Sequence, residues 1–148
     1  MLDLALFKTI VEYTPLISID LIVYNDKSEV LLGKRVNPPA HNYYFVPGGR
    51  IYKDEKIADA FHRICHSELG QFVEYSSAKF CGVYEHFYSD AFVGQDISTH
   101  YVVLAFEIRV DTELLDLPSA QHTEYSFMTV EHIRNHSDVH YYTKQYFS

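Results

Sequence analysis

The chain has 148 residues and a formal net charge of −8 at pH 7, with 20 acidic residues against 12 lysines and arginines. That length suits one domain with a buried core, and an apolar fraction of 47% with 13 tyrosines and 10 phenylalanines excludes a disordered chain. The acidic balance argues against a nucleic-acid partner, and no apolar run approaches the ~20 residues that span a membrane.

The cysteine content and the start of the chain bear on the compartment. Cys65 and Cys81 form neither a CxxC motif nor a disulfide framework, so a reducing environment is expected. The first residues carry an acid and lack a basic region before the apolar stretch, so no signal peptide is expected. We therefore expect a cytoplasmic protein with a single domain over residues 1–148.

Apolar periodicity predicts the elements in chain order: a helix over 3–13, strands over 16–24, 29–35 and 43–47, a helix over 56–69, strands over 79–88, 99–110 and 125–130, and a helical tail from Glu131. Pro15 ends the first helix, and Pro38 and Pro39 predict a loop. The acidic segment 111–124 also predicts a loop. Strands with interspersed helices and hairpins predict an α/β fold with a mixed sheet and helices on its faces.

The second predicted helix carries a carboxylate on its buried stripe. Asp54 is its expected N-cap, and Gly70 its expected C-terminal stop. Glu68 lies seven residues after Phe61 and four after Ile64, so it follows the apolar stripe instead of the solvated face. A carboxylate there must be paired, protonated or bound to a cation. A metal ligand, a buried ion pair and a frayed last turn are the three interpretations.

The spacing in this helix resembles the Nudix box, G-x5-E-x7-R-E-U-x-E-E-x-G-U, where U is aliphatic. The matching positions are Gly49, Glu55, Arg63, Glu68 and Gly70. Ile64, Ser67 and Gln71 depart from the pattern. In ordinary Nudix hydrolases the acids at the first two of these positions help to hold magnesium ions and the attacking water for cleavage at phosphorus.

The wider sequence is similar to the GDP-mannose mannosyl hydrolase branch of that family, which has the same degenerate box. The likeness covers most of residues 7–128, through YTPLISID (13–20), LLGKR (31–35), YFVPGGR (44–50), GVYEHFY (82–88), THYVVL (99–104) and LPSAQH (117–122). It implies a Nudix-type α/β/α sandwich, one Mg²⁺ per active site and a homodimer. It also implies hydrolysis of GDP-mannose, or GDP-glucose, to GDP and free sugar by water attack at the anomeric carbon. Inversion is expected because no second carboxylate is placed to form a covalent sugar intermediate.

The resemblance also assigns roles to individual residues. The implied magnesium ligands are the Gly48 carbonyl and the side chains of Glu68 and Gln121. His122 is the implied general base, and Arg50 the residue that faces the departing diphosphate. The implied substrate-binding residues are Asp20, His86, Tyr101 and Phe7, the last near the nucleotide or the partner subunit. Lys34 and Arg35, at the end of the second predicted strand, supply a basic cluster for a phosphate-bearing substrate, with solvated strand-end charges as the alternative. For Gly48, a tight turn with a positive φ angle is also expected, and for Asp20, an inward charge on an edge strand is an alternative.

Two other functions remain open from the sequence. One is a nucleotide-sugar pyrophosphatase that cleaves between the phosphates, and the other is a nucleotide-sugar-binding protein without turnover. His132 and His136 have the spacing of two zinc ligands on a helix, but the sequence suggests no third ligand nearby. Tyr141, Tyr142 and Tyr146 are expected to pack a terminal helix and not to form a stacking platform.

Overall fold

The computed structural model describes residues 3–36, 42–89, 96–118 and 122–148, with the side chains of residues 122 and 123 outside that description. The helices are α1 (Leu4–Tyr13), α2 (Ile57–Leu69), α3 (Val130–Asn135) and α4 (Tyr141–Gln145). The strands are β1 (Leu16–Tyr24), β2 (Val30–Arg35), β3 (Tyr44–Phe45), β4 (Gly48–Arg50), β5 (Lys79–Tyr88), β6 (Thr99–Arg109) and β7 (His122–Met128). Within the described ranges, no helix combines the length and the apolar character needed to cross a membrane.

All of these strands join one mixed sheet with the order β3-β2-β1-β6-β5, in which β4 also pairs with β1 and β7 with β2. Strands β1 and β6 run parallel, and the other pairs are antiparallel. The expected mixed sheet is therefore confirmed. Because β1 has partners on both sides, the alternative that Asp20 is a charge on an edge strand is wrong.

The sheet buries apolar side chains on both faces. One face packs against α2, and its core includes Ile19, Leu21, Val23, Phe61, Ile64, Leu69 and Phe106. The other face packs against residues 130–148, called here the C-terminal segment. Its core includes Ile22, Val30, Leu32, Ile133, Val139 and Phe147. This layering is the expected α/β/α sandwich. Since side chains alternate along β1, Asp20 projects to the face covered by the C-terminal segment.

The two ends of α2 test the capping predictions. Its N-cap is Lys56, which makes no side-chain capping bond, so the prediction of Asp54 is wrong. Asp54 instead has a φ of 66°, in the tight turn that precedes the helix. Gly70 is confirmed as the stop, because its φ of 70° is left-handed and its N–H donates to the His66 carbonyl.

Two strand predictions need correction. The predicted strand over 43–47 pairs only at Tyr44–Phe45, and a separate strand begins at Gly48. The predicted loop over 111–124 is too long, because β7 starts at His122 and pairs with β2. This strand ends at Met128 instead of Val130, since the Thr129 side chain accepts the His132 N–H and caps α3.

Candidate active site

Glu68 lies in the last turn of α2, one turn beyond a residue that contacts β4. A Cβ atom at Gly49 would lie 3.0 Å from Ile64 Cγ1, so the helix and the strand touch there. Glu68, four residues later, continues along that side of the helix and is partly buried. The helix is regular through Leu69, so the interpretation as a frayed turn is wrong.

The Glu68 carboxylate carries an unfavourable charge in this position. Burial raises its pKa to about 7, and the positive charge of Arg35 opposes that shift. Among the residues that the structure describes, none forms an ion pair or a hydrogen bond with this carboxylate. The carboxylate is thus in a position where a bound cation would stabilise it.

Gly48 is a glycine because two chain segments approach each other closely. A Cβ atom at this position would lie 2.5 Å from the Ile19 carbonyl oxygen and 2.5 Å from Asp20 Oδ1. The residue is part of strand β4 and pairs with Asp20. The predicted positive φ angle is wrong, since Gly48 is not among the residues with positive φ. Any larger residue would push the strand away from β1.

The hydrogen-bond pattern leaves the Gly48 carbonyl outside the ladder with β1. The Leu21 N–H donates to the Pro47 carbonyl at 2.8 Å, and the Ile51 N–H donates to the Ile17 carbonyl at 2.8 Å. Hydrogen-bonded and non-hydrogen-bonded pairs alternate in antiparallel strands, so Gly48 belongs to a non-hydrogen-bonded pair. Its carbonyl therefore points away from β1 and is available to a ligand.

These two oxygen sources suit magnesium, which prefers hard oxygen ligands and keeps positions for water and phosphate. Gln121, the third implied ligand, lies outside the described residues. Within the described ranges, no group of three or more His, Cys, Asp or Glu side chains is placed to hold a metal, and this includes the surroundings of His132 and His136. A metal at Glu68 would thus rely on backbone and amide oxygens for its other protein ligands.

Two residues of the box clamp the loop before α2. Arg63 donates through Nε and Nη2 to the two oxygens of Glu55, at 2.8 and 2.9 Å. Arg63 Nη2 also donates to the Arg50 carbonyl at 2.8 Å, and Glu55 accepts the Tyr52 N–H at 3.0 Å. The hydrogen bond from Arg63 lowers the pKa of Glu55. The pair therefore holds the loop that carries Arg50 and does not point to a ligand.

Arg50 is held between aromatic rings. Its guanidinium carbon lies 4.7 Å from the ring centre of Phe7 in α1 and 5.1 Å from that of Tyr52. The structure therefore brings the predicted residues Phe7 and Arg50 together. Tyr52 was missed by the sequence reasoning. The sequence signal was its position two residues after Arg50, because side chains two residues apart in an extended segment lie on the same side.

Charged groups converge on Tyr101. Burial raises the pKa of its hydroxyl, the positive charges of Arg35 and Arg50 lower it, and the negative charge of Asp20 raises it. All three predicted residues are thus close enough to act on one hydroxyl group. The positive charge of Arg35 also lowers the pKa values of Asp20 and Glu68 against the effect of burial.

The remaining predicted residues are Lys34, Gln121 and His122. The Lys34 amine lies 5.6 Å from the ring centre of Tyr44, and no described contact joins it to the carboxylates of the site. His122 begins β7, with its Cα paired to that of Arg35. The side chain of His122 and the whole of Gln121 lie outside the described residues.

Asp20 and His86 meet through a residue from the end of the chain. The Tyr146 hydroxyl donates to Asp20 Oδ2 at 2.5 Å and lies 3.4 Å from His86 Nε2. The Tyr142 ring stacks on His86 with a centroid distance of 4.4 Å. Tyr146 was expected only to pack a helix, and that expectation is incomplete. No local pattern could have found this contact across 126 residues.

The surroundings of Asp20 and His86 shift the pKa values of these two side chains in opposite directions. Burial raises the pKa of Asp20 to about 6, while the hydrogen bond from Tyr146 and the charge of Arg35 oppose the rise. Burial, together with the charge of His140, lowers the pKa of His86 to about 4. His86 is therefore neutral near pH 7, and it can donate or accept one hydrogen bond at each ring nitrogen according to its tautomer.

The buried His86 predicts an acid-dependent loss of stability. Its folded-state pKa of about 4 lies below the usual 6.5, so the unfolded chain takes up the proton first as the pH falls. The destabilisation is absent above pH 6.5 and grows as the pH falls toward 4. The raised pKa values of Asp20 and Glu68 act in the opposite direction in the wild type.

Comparison of wild type with His86→Gln isolates this contribution. The free energy of unfolding of both proteins should be measured by denaturant titration from pH 7.5 to pH 4.5. We expect the stability advantage of the wild type to shrink with acidification, at a limiting slope of about 1.4 kcal/mol per pH unit. A gap that stays constant over this range would contradict a neutral, buried His86.

Comparison with known proteins agrees with this architecture. The family model described as the NUDIX domain matches residues 14–147. A Haloferax volcanii relative, described as the low-salt glycan biosynthesis protein Agl8, is 39% identical over 118 residues, which span 80% of this chain and 73% of that protein.

Solved structures show the same fold. The MutT protein from Methanosarcina mazei Go1 aligns with a TM-score of 0.71 and 21% identity over 91% of this chain and 92% of that chain. The MutT NUDIX hydrolase from Burkholderia pseudomallei aligns with a TM-score of 0.70 and 18% identity over 90% of this chain and 96% of that chain.

An α/β/α sandwich in which Glu55 and Arg63 hold the loop before a helix that carries Glu68 in its last turn defines a Nudix-type hydrolase domain. With the family model covering nearly the whole chain, the protein belongs to the Nudix family. The resemblance noted in the sequence is confirmed at the level of that family and its fold.

Proposed function

We propose that this Nudix hydrolase cleaves a GDP-hexose into GDP and the free sugar, with GDP-mannose preferred and GDP-glucose the second candidate. One observation carries the proposal. Of the three acidic positions that the box has in α2, Ile64 is buried in the core, and Ser67 is an exposed hydroxyl that donates to the Ile64 carbonyl at 3.3 Å. Only Glu68 keeps a carboxylate.

This loss of carboxylates bears on the atom that is attacked. Cleavage at phosphorus in ordinary Nudix hydrolases relies on several acidic ligands for metal and water. Attack at the anomeric carbon requires less, because the metal only stabilises the departing diphosphate. Such an ion, when bound to the Gly48 carbonyl, Glu68 and Gln121, would neutralise developing charge on the GDP leaving group.

The proposed reaction is a single displacement. His122 accepts a proton from water as the water oxygen forms a bond to the anomeric carbon, and the bond from that carbon to the β-phosphate oxygen breaks. The electron pair leaves with GDP, and the configuration inverts. Arg50, whose guanidinium contacts the rings of Phe7 and Tyr52, is proposed to bind the diphosphate. Arg35 adds positive charge against the acidic chain.

The two ends of the substrate would meet different residues. Asp20, His86 and Tyr101 carry the carboxylate, imidazole and phenol groups that bind sugar hydroxyls. Phe7 and Lys34 are proposed at the nucleotide end. We also propose a homodimer in the cytoplasm. The Haloferax volcanii relative is described as a glycan biosynthesis protein, which supports a role for this chain in nucleotide-sugar metabolism for glycans.

A product assay tests the proposal directly. Purified protein should be incubated with GDP-mannose and magnesium, with a matched reaction in excess EDTA. We expect equimolar GDP and mannose, and little turnover with EDTA. GMP with mannose 1-phosphate would instead establish a pyrophosphatase that cleaves between the phosphates. Saturable binding of GDP-mannose with no product would establish a binding protein.

A further inference from the structure

The C-terminal residues reach the candidate active site through Tyr146, which follows α4 directly. Its ring packs edge-on against Tyr84 with a centroid distance of 4.7 Å. The next residue, Phe147, is buried in the core, and its carbonyl accepts a hydrogen bond from Arg134 Nε at 2.6 Å. The Tyr146 hydroxyl is therefore delivered to Asp20 by a segment that is fixed on both sides.

The contact orients the Asp20 carboxylate without closing it off. Oδ2 accepts the tyrosine hydrogen bond at 2.5 Å, and Oδ1 lies on the side of Gly48, where an added Cβ atom would be 2.5 Å away. The hydrogen bond fixes Oδ2, and the absence of a Cβ atom at Gly48 leaves the space that Oδ1 occupies. Asp20 is half-buried and not fully enclosed by the protein.

Other polar groups surround this carboxylate. His86 Nε2 lies 3.4 Å from the Tyr146 hydroxyl, and the negative charge of Asp20 acts on the hydroxyls of Tyr88 and Tyr101. An imidazole, a carboxylate and phenol groups held in a fixed array form hydrogen bonds of defined direction with a polyol. A site built in this way rejects ligands whose hydroxyl groups point elsewhere.

We propose that Tyr146 is a positioning residue that orients Asp20 toward a hydroxyl of the hexose and so contributes to the choice of sugar. The inference rests on the proposed hydrolysis of a GDP-hexose. It goes beyond that function by giving a specificity role to a residue of the C-terminal segment, whose side chain acts through Asp20 and does not contact the reacting atoms.

Tyr146→Phe tests the inference, because it removes the hydroxyl and keeps the ring. The kcat and KM should be measured with GDP-mannose and GDP-glucose, together with the inhibition constant of GDP. We expect kcat/KM for the preferred sugar to fall by about 10-fold or more, as for other hydrogen bonds to a charged group. The preference between the two sugars should shrink, and the GDP inhibition constant should stay at the wild-type value.

Two control variants distinguish a positioning role of the Tyr146 hydroxyl from a general loosening of the C-terminal segment. Tyr141→Phe alters an exposed tyrosine at the start of α4, the helix that precedes Tyr146, and should behave as wild type. Tyr142→Phe removes a hydroxyl that bonds the Phe87 N–H and carbonyl at 3.0 Å each, which loosens α4 from β5 without altering a bond to Asp20. If Tyr142→Phe lost sugar preference as Tyr146→Phe does, the role of Tyr146 would be structural and the inference would fail.

A double-mutant cycle supplies the decisive comparison. If Tyr146 acts through Asp20, then Tyr146→Phe should add no further loss of sugar preference in an Asp20→Asn background. Fully additive losses would overturn the inference. If Tyr146→Phe has the same kinetics as an active wild type, the inference fails and the proposed function stands. If the wild type releases no hexose from either substrate, both the proposed function and the inference fail.

Discussion

The Glu68→Gln variant is expected to lose at least about 100-fold in turnover of GDP-mannose while it remains folded. The substitution keeps the shape of the side chain but removes a charged oxygen ligand for magnesium. The fold should tolerate the change, because no described residue forms an ion pair or a hydrogen bond with this carboxylate. The measurements are kcat at saturating magnesium and the Tm with and without the ion.

Magnesium should raise the Tm of the wild type and have little effect on that of Glu68→Gln, because a ligand stabilises only the state that binds it. Glu55→Gln is the matched control, since it makes the same change elsewhere in the box. It removes the negative charge and replaces one of the two oxygens that accept hydrogen bonds from Arg63 with an NH2 group, so we expect a stability loss of about 1–3 kcal/mol and a smaller loss of activity. Near-normal turnover of Glu68→Gln would show that Glu68 is not a ligand of the catalytic metal.

The His122→Gln variant is expected to slow sugar release by ~10²–10⁴-fold, the range typical of a lost general base. The deficit should be greatest near neutral pH and smaller at high pH, where hydroxide can replace the activated water. The Cα of His122 pairs with that of Arg35, whose positive charge acts on Glu68. A full pH–rate profile of both proteins is the measurement. A deficit that is the same at every pH would argue against a role in proton transfer.

The same reaction in oxygen-18 water identifies the attacked atom. Attack at the anomeric carbon places the label in the anomeric hydroxyl of the freed sugar, which should be trapped by rapid reduction before it exchanges with water. GDP should carry no label. Label on the β-phosphate of GDP would mean attack at phosphorus, and the chemistry of ordinary Nudix hydrolases would replace the proposed mechanism.

The sequence alone was sufficient for the elements whose signals are local. The alternation in β1, the apolar stripe of α2 and the stop at Gly70 follow from periodicity and from the left-handed conformation that glycine adopts at low cost. The matched positions of the box likewise predicted the family, because their spacing along one helix and its preceding loop is a property of the chain itself.

The tertiary structure decided how distant residues combine. Asp20 meets Tyr146 because β1 presents alternate side chains to the face that the C-terminal segment covers, a relation that no short sequence pattern encodes. The tight turn expected at Gly48, beside its predicted role as a carbonyl ligand, is absent, and the need for glycine there comes from the close approach of β1. The local spacing of residues was thus enough to predict the family and the helix α2. The packing of both faces onto one sheet determined which side chains share the site, since such contacts depend on strand order and not on distance along the chain.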